Sequence, residues 1–462
     1  MTAAPRFRRD RITWVAYGLL AFFAYLQATP GLVVAHLRTE LHLDYSTAGL
    51  HVAAFALGSL CAGLAGARIE RRTGRRLLLW SSAAVLGAGA LGLALGPVAP
   101  VTVGSVLVMG FGGGLLLVTV QAVLADGHGD LRAVALAEAN LAASAAYVVL
   151  IAVLTLTAAI GLGWRAALLA GLAAPLLLWA TNGRLRIDAP ASPRIAQGRL
   201  PGRFWIAAAM LLCTTAVEWC VTGWGASFVA DAAQVSADVA VTLMAGYFGG
   251  VLVGRTVGSR LARRLPPRRL LAIALGVSAV GFGILWPSTT AVQAFLGLAV
   301  IGIGIGNLFP TALAIAVALA PGRAVLASGR AVVTSSVAVL LAPLTVGALA
   351  DATSLRAAFA VVPVLLLLAG IGLAVLTRLR ARRHAGGRPD AAGRRRAEDM
   401  ADVLAQLRRW EDAGGQWHAT VRSDGSAVVS LERCDLGETV ETITSGDPEV
   451  VAALRRRASS TE

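Results

Sequence analysis

The stretch GARIERRTGRR, residues 66–76, separates two apolar runs, about residues 48–67 and 77–96. An arginine at the centre of a bilayer costs about 2.5–3.5 kcal/mol on insertion scales. A glycine-bearing turn with this density of arginine therefore belongs at a membrane surface, and its charge says which one. Working outward, the chain contains twelve apolar runs near the ~20 residues that a membrane span requires. They cover about 12–36, 48–67, 77–96, 101–125, 133–160, 164–182, 204–230, 238–262, 269–287, 291–319, 325–350 and 356–377.

Composition points the same way. Of 462 residues, 56% are hydrophobic and only 15% are charged, against about 25% charged in soluble domains. The net charge of +15 comes from 41 basic residues, all arginine and mostly at the ends of apolar runs. A nucleic-acid partner needs a basic stripe on a soluble fold, so the partners expected here are the lipid bilayer and a small solute. Alternating the spans places the N-terminus, residues 66–76, Arg132, the 184–203 loop, residues 260–269, Arg323 and the tail after Arg378 on one side. The other side receives Arg38, Arg165 and Arg356 with Asp44, Asp231, Asp238 and Asp351. Positive-inside bias then predicts a multi-pass protein of the cytoplasmic membrane with both termini in the cytoplasm. The first run is too long for a secretory h-region and reads as a retained first helix.

The spans group as six plus six. Residues 1–183 form an N-terminal bundle, residues 184–203 a Pro- and Arg-rich linker, and residues 204–378 a C-terminal bundle. An Arg-rich juxtamembrane segment, 379–396, leads to a small cytosolic module, 397–462. That module is predicted to hold a helix at 397–412, strands within 417–433 about an Asp424-Gly425 turn, a third strand near 438–444 and a closing helix at 448–457. The fold class is thus an all-α membrane protein of two six-helix bundles with an α+β appendage. Glycines at four-residue spacing (Gly250, Gly254, Gly258; Gly302, Gly306) predict close helix packing. Pro30, Pro175, Pro310, Pro343 and Pro363 are helix breakers within spans, either ordinary kinks or cavity-lining breaks, and GIGNLFP, residues 304–310, is the better candidate for a moving or cavity-lining helix.

Chemistry is sought first among membrane-embedded polar residues, because each is expensive there. Glu218, near the middle of the seventh span in AVEWCVTGW, either carries a proton, binds polar solute or is a structural hydrogen-bond partner. Gln27, Gln121, Tyr147, Trp224 and Asn307 are polar or amphipathic groups at middle depth that could line the same site. Glu138 and Asn140 lie near one end of the fifth span, where an ion pair with an arginine and solute contact are both open. Asp126 ends the fourth span as a gate charge. Arg255 and Arg330 lie a turn or two inside their helices, in reach of the interface by snorkelling. Cys61, Cys213, Cys220 and Cys434 have no metal or redox spacing, the six histidines form no zinc pair, and no phosphate-binding loop occurs. No enzyme, metal or organic cofactor is expected; the coupling ion expected is a proton.

With the 66–76 hinge, its weaker copy at 258–269, GIGIGNLFP at 302–310 and ASGRAVVTSSVAVLLAPLTVGALAD at 327–351, the chain resembles the major facilitator superfamily over about residues 12–378. The resemblance implies a secondary transporter, a monomer in which two six-helix bundles rock about a central site. The family hinge reads Gly-x-x-x-Asp-Arg-x-Gly-Arg-Arg/Lys, which implies gating roles for Gly66, Glu70, Arg71, Gly74, Arg75 and Arg76. One extra residue separates Glu70 from Gly74, so aligning from Gly74 puts Arg71 where the acid belongs. The fifth span lacks the Gly-Pro motif of drug–proton antiporters, and AVEWCVTGW with GYFGGVLVGR is similar to the fucose-permease-like branch. The alternatives are an efflux carrier for amphipathic compounds, or a membrane sensor or scaffold acting through the C-terminal module.

Overall fold

The computed structural model describes residues 7–187, 200–320, 323–385, 406–407, 410–411, 416–422, 426–432, 439–445, 448–457 and 459. It divides into two compact units, Met1–Leu376 and Thr377–Glu462.

In the first unit, α1 (Arg11–Leu41), α2 (Tyr45–Thr73), α3 (Arg75–Leu95), α4 (Ala99–His128), α5 (Arg132–Ala159), α6 (Gly163–Gly171) and α7 (Ala173–Asn182) form the first half. The second half contains α8 (Gly202–Ala233), α9 (Ala237–Leu261), α10 (Pro267–Leu285), α11 (Ala291–Ala318), α12 (Ala324–Ala352), α13 (Leu355–Ala358) and α14 (Val361–Ala385). Counting α6–α7 and α13–α14 as one span each, twelve helices among the described residues are long and apolar enough to cross a membrane. Large side chains such as Leu64, Leu156, Leu177, Val280 and Leu367 stay exposed on the outside, where lipid rather than water is their natural solvent.

The breaks in the sixth and twelfth spans share a cause. Pro175 and Pro363 are each the third residue of a helix, α7 and α14. A first-turn proline loses no intrahelical bond, because that N–H has no partner anyway. Pro30, Pro310 and Pro343, by contrast, stay within continuous α1, α11 and α12.

Each half repeats one packing device. In α4, a Cβ at Gly110 would strike the Phe55 carbonyl of α2, and one at Gly112 would strike Leu86 of α3. In α11, the equivalent helix, Gly302 meets the Tyr247 carbonyl of α9 and Gly304 meets Ser278 of α10. Bare glycine lets three backbones approach at once. GIGNLFP is therefore a packing seam: Asn307 donates to the Gly254 carbonyl at 2.7 Å, with its amide seated where Gly258 has no side chain. The expectation of a cavity-lining segment there is corrected.

The two halves meet through α1 with α8, α2 with α12, and α5 with α9. Gly31 of α1 lies directly on the Thr222 carbonyl of α8, and Gly347 of α12 sits with its Cβ position 2.7 Å from the Tyr45 carbonyl.

The second unit has its own core. Strands β1 (Gln416–Val421), β2 (Ala427–Glu432) and β3 (Thr439–Ser445) form an antiparallel sheet in the order β1-β2-β3. Trp417, Val429 and Leu431 pack against Val450, Val451 and Leu454 of the closing helix Pro448–Arg456. Trp417 Nε1 donates to Glu411 Oε1 at 2.7 Å, and Arg457 pairs with the same carboxylate at 3.1 Å. Most of the helix expected at 397–412, the Asp424-Gly425 turn, residues 386–396 of the juxtamembrane segment and residues 188–199 of the linker lie outside the described residues.

Candidate functional site

Four helices bring polar groups together at middle depth, two from each half. Glu218 lies midway along α8, half-buried, and its carboxylate accepts no hydrogen bond from the described residues. Arg255 of α9, Tyr147 of α5 and Tyr247 of α9 lie within its electrostatic reach. Arg255 Nη1 donates across the halves to Ser144 Oγ of α5 at 2.8 Å. Tyr147 donates to Gln27 Oε1 of α1 at 3.0 Å, while Tyr247 shares a 2.9 Å hydrogen bond with Thr222. Phe248 contacts both tyrosines, its ring tilted against Tyr147 with centres 5.0 Å apart and edge-on to Tyr247 with centres 4.9 Å apart.

Thus Glu218, Tyr147, Gln27 and Arg255 come together, and Ser144 and Tyr247 join them. Three other residues do not. Trp224 is fully buried, donates to the Pro343 carbonyl at 3.0 Å and fills the space beside Gly49 and Gly347. It has no polar atom left to offer a solute, so the expectation that it lines the site is corrected; it closes the interface between halves. Asn307 is committed to the α9 backbone, as described above. Gln121 is exposed on α4 with no hydrogen-bond partner among the described residues.

At the arginine-rich end, polar side chains pair within the first half. Gly74, at φ +78°, separates α2 from α3, and its N–H closes the last turn of α2 onto Glu70 O at 2.8 Å. That turn brings Glu70 beneath Arg75. Arg75, only 7% exposed, bonds Glu70 Oε1 at 2.7 Å and Asp126 Oδ2 of α4 at 2.6 Å. The acid is displaced by one residue in sequence but still reaches the arginine, because the extra residue only extends the helix. Arg76 donates twice to the Gly183 carbonyl, at 2.9 and 2.6 Å. Gly66 is buried with the Leu115 side chain of α4 over it, whereas Arg71 is exposed. Glu138 is held by Arg9, with bonds of 2.8 and 2.7 Å, and by the Tyr17 hydroxyl at 3.1 Å. Asn140 is exposed and returns its amide to Leu136 O on its own helix. Arg330 is exposed on α12.

At the opposite end, polar groups pair between the halves. Asp351, at the end of α12, accepts from the backbone N–H groups of Tyr45 and Ser46, both at 2.8 Å, and from the Ser46 hydroxyl. One half thereby caps the first turn of α2 in the other, satisfying donors that a helix start cannot satisfy itself. The Tyr45 hydroxyl donates to Asp231 Oδ2 at 2.8 Å, and Arg38 stacks on the Tyr45 ring at 3.5 Å. His36 meets Asp238 at 2.8 Å and Thr155 meets Thr242 at 2.9 Å. In the sequence these aspartates mark only the side of the membrane on which they lie. The signal available was their position at helix ends, which does not name the partner.

Among the described residues, no group of three or more His, Cys, Asp or Glu could hold a metal ion. Polar side chains from both halves thus meet at middle depth, while at the end of Asp351 the halves are tied together by hydrogen bonds.

The family model of the Major Facilitator Superfamily matches residues 13–236 and again residues 207–418. No curated protein matches by sequence. Among solved structures, the chain is similar to a bacterial homolog of the human lysosomal transporter Spinster in an inward-facing, unoccupied conformation, with 15% identity and a TM-score of 0.64 over 80% of this chain and 98% of that one. It is similar to a D-xylose–proton symporter with 16% identity and a TM-score of 0.65 over 79% and 96% of the two chains. It is also similar to the nucleoside transporter NupG with 10% identity and a TM-score of 0.65 over 80% and 99%. The chain belongs to the major facilitator superfamily, and it is an integral multi-pass membrane transporter of solutes, not an enzyme.

Proposed function

We propose that the protein is a secondary active carrier that moves a small polar solute across the cytoplasmic membrane by alternating access, coupled to protons through Glu218. The observation that carries this reading is the half-buried Glu218 carboxylate, which has no hydrogen-bond donor among the described residues and lies within electrostatic reach of Arg255, itself bonded to Ser144 of the other half. An ionised carboxylate at that depth is expensive unless it is paired or protonated. When ionised, Glu218 draws Arg255 toward α8, in competition with Ser144 of the other half. A proton on Glu218 removes that competition and leaves Arg255 free to tie α9 to α5. Protonation thereby biases one arrangement of the halves over the other, as coupling requires.

In this reading the two halves, residues 1–183 and 204–378, rock about the Glu218 region, with residues 184–203 as their linker. The arginine-rich end is cytoplasmic, as the charge bias supports, and the hydrogen bonds that tie the halves at the far end support a conformation facing the cytoplasm. Arg75 with Glu70 and Asp126, and Glu138 with Arg9, steady the cytoplasmic ends; Asp351 with Tyr45 and Ser46 closes the far end. The working unit is a monomer, and no cofactor takes part.

The test uses proteoliposomes enclosing a pH-sensitive dye, with solutes chosen by a thermal-shift screen. Wild-type protein should acidify the lumen when a transported solute is added, and Glu218→Gln should lose solute-driven proton movement while remaining folded. Undiminished proton movement in Glu218→Gln overturns the role of Glu218.

A further inference from the structure

A second polar site lies at the sealed end, away from Glu218. A crevice of about 370 Å³ opens between α1 of the first half and the α8–α9 connection of the second. Its walls carry Arg38 and Thr39 on one side and Ser227, Asp231 and Gln234 on the other. Two of these residues have buried polar atoms with no hydrogen-bond partner among the described residues, Arg38 Nε and Ser227 Oγ. Ser227 is only 1% exposed. A buried donor without a partner costs about 1–3 kcal/mol, a cost that a bound polar molecule would relieve.

We infer that this crevice is a second solute-binding site, opening on the face opposite the arginine-rich end, for a small uncharged molecule bearing several hydroxyl groups. The argument for charge is direct. The walls hold one cation, Arg38, and one carboxylate, Asp231, and Tyr45 already links them: its ring lies 3.5 Å beneath the guanidinium and its hydroxyl is 2.8 Å from Asp231 Oδ2. A charged or zwitterionic ligand would have to displace that bridge to find its counter-charge. Neighbouring hydroxyls suit the walls as they stand. One oxygen can accept from Arg38 Nε–H, and its own proton, or the next hydroxyl's, can go to Asp231. Ser227 both donates and accepts. Thr39 Oγ donates to the Ala35 carbonyl at 3.1 Å and so presents only lone pairs inward. The volume lies within the usual range for small-molecule sites.

Because the walls come from both halves, the ligand binds only while this end is closed, and its binding free energy is added to that closure. The site does not depend on Glu218, so its test separates from the test of coupling.

The experiment is isothermal titration of the full-length protein in detergent with sorbitol and glucose as neutral probes and glycine as a zwitterion. Both neutral probes should bind at millimolar concentration to wild type and to Glu218→Gln alike. Ala230→Trp, which fills the crevice, should weaken binding at least tenfold, and Ser227→Val should weaken it several-fold with the fold retained on a melting curve. No heat from either neutral probe overturns the inference. So does binding that survives Ala230→Trp but disappears in Glu218→Gln, which would place the ligand at middle depth. Tighter binding of glycine than of sorbitol and glucose overturns the ligand class.

Discussion

The two ends of the bundle use similar residues in opposite ways. At the arginine-rich end, acids and arginines pair inside the first half: Glu70 and Asp126 on Arg75, and Glu138 on Arg9. At the other end, Asp351, Asp231 and Asp238 reach across to Tyr45, Ser46 and His36. Under the proposed alternating access, a bond within a half moves with that half and leaves rocking free. A bond between halves must break before that end opens. The difference says which end is closed here, and it says that closure is set by a few hydrogen bonds to a helix start together with close backbone contact.

The most severe way to break the contrast is to force backbones apart at the closed seam. A Cβ at Gly31 would overlap the Thr222 carbonyl, a backbone atom that cannot swing away. Gly31→Val should abolish folded, monodisperse protein on size exclusion. Gly63→Val, at a position with open space around it, should be tolerated, and equal losses in both would show that the seam has no special tightness.

A milder change targets the cap. Asp351→Asn keeps the shape but removes the charge that strengthens bonds to the α2 N–H groups. After a discount for solvent exposure, the expected loss is about 1–2 kcal/mol, or about tenfold more of the far-end-open form. Faster alkylation of a cysteine placed at Thr39 would report it; an unchanged rate would remove the cap from the closure.

The smallest shift in closure belongs to the hinge. Arg75→Gln should lower stability toward unfolding by about 1–2 kcal/mol, since both carboxylate partners are partly solvated, yet leave alkylation at the Thr39 cysteine near the wild-type rate. A large change in that rate would mean that the hinge couples to the far end directly.

Much of the architecture was legible because bilayer constraints act locally. Span length, arginine position and glycine spacing are properties of consecutive residues. The place of the hinge is legible in its glycine and arginines, whereas its charge pairing is open in the sequence: the spacing of Glu70 from Gly74 departs from the family pattern, yet a helix turn carries the carboxylate to Arg75. Trp224 and Asn307 show the limit. Both are polar groups deep in helices, but polarity does not say which neighbour a helix face will meet. Trp224 meets the Pro343 carbonyl, and Asn307 the bare backbone at Gly254 and Gly258. The cap by Asp351 was invisible for the same reason, since its partners lie in the other half of the chain.

The sequence by itself determined that twelve helices cross a membrane, that arginine marks one face, and that the helices divide six and six, because hydrophobic length and charge are felt by each segment alone. Only the tertiary structure decided that Glu218 has no hydrogen-bond donor among the described residues while Trp224 and Asn307 are occupied, and that aspartates at one face bind the other half. Those outcomes depend on helix rotation and on which backbones glycine allows to touch, which no single segment controls.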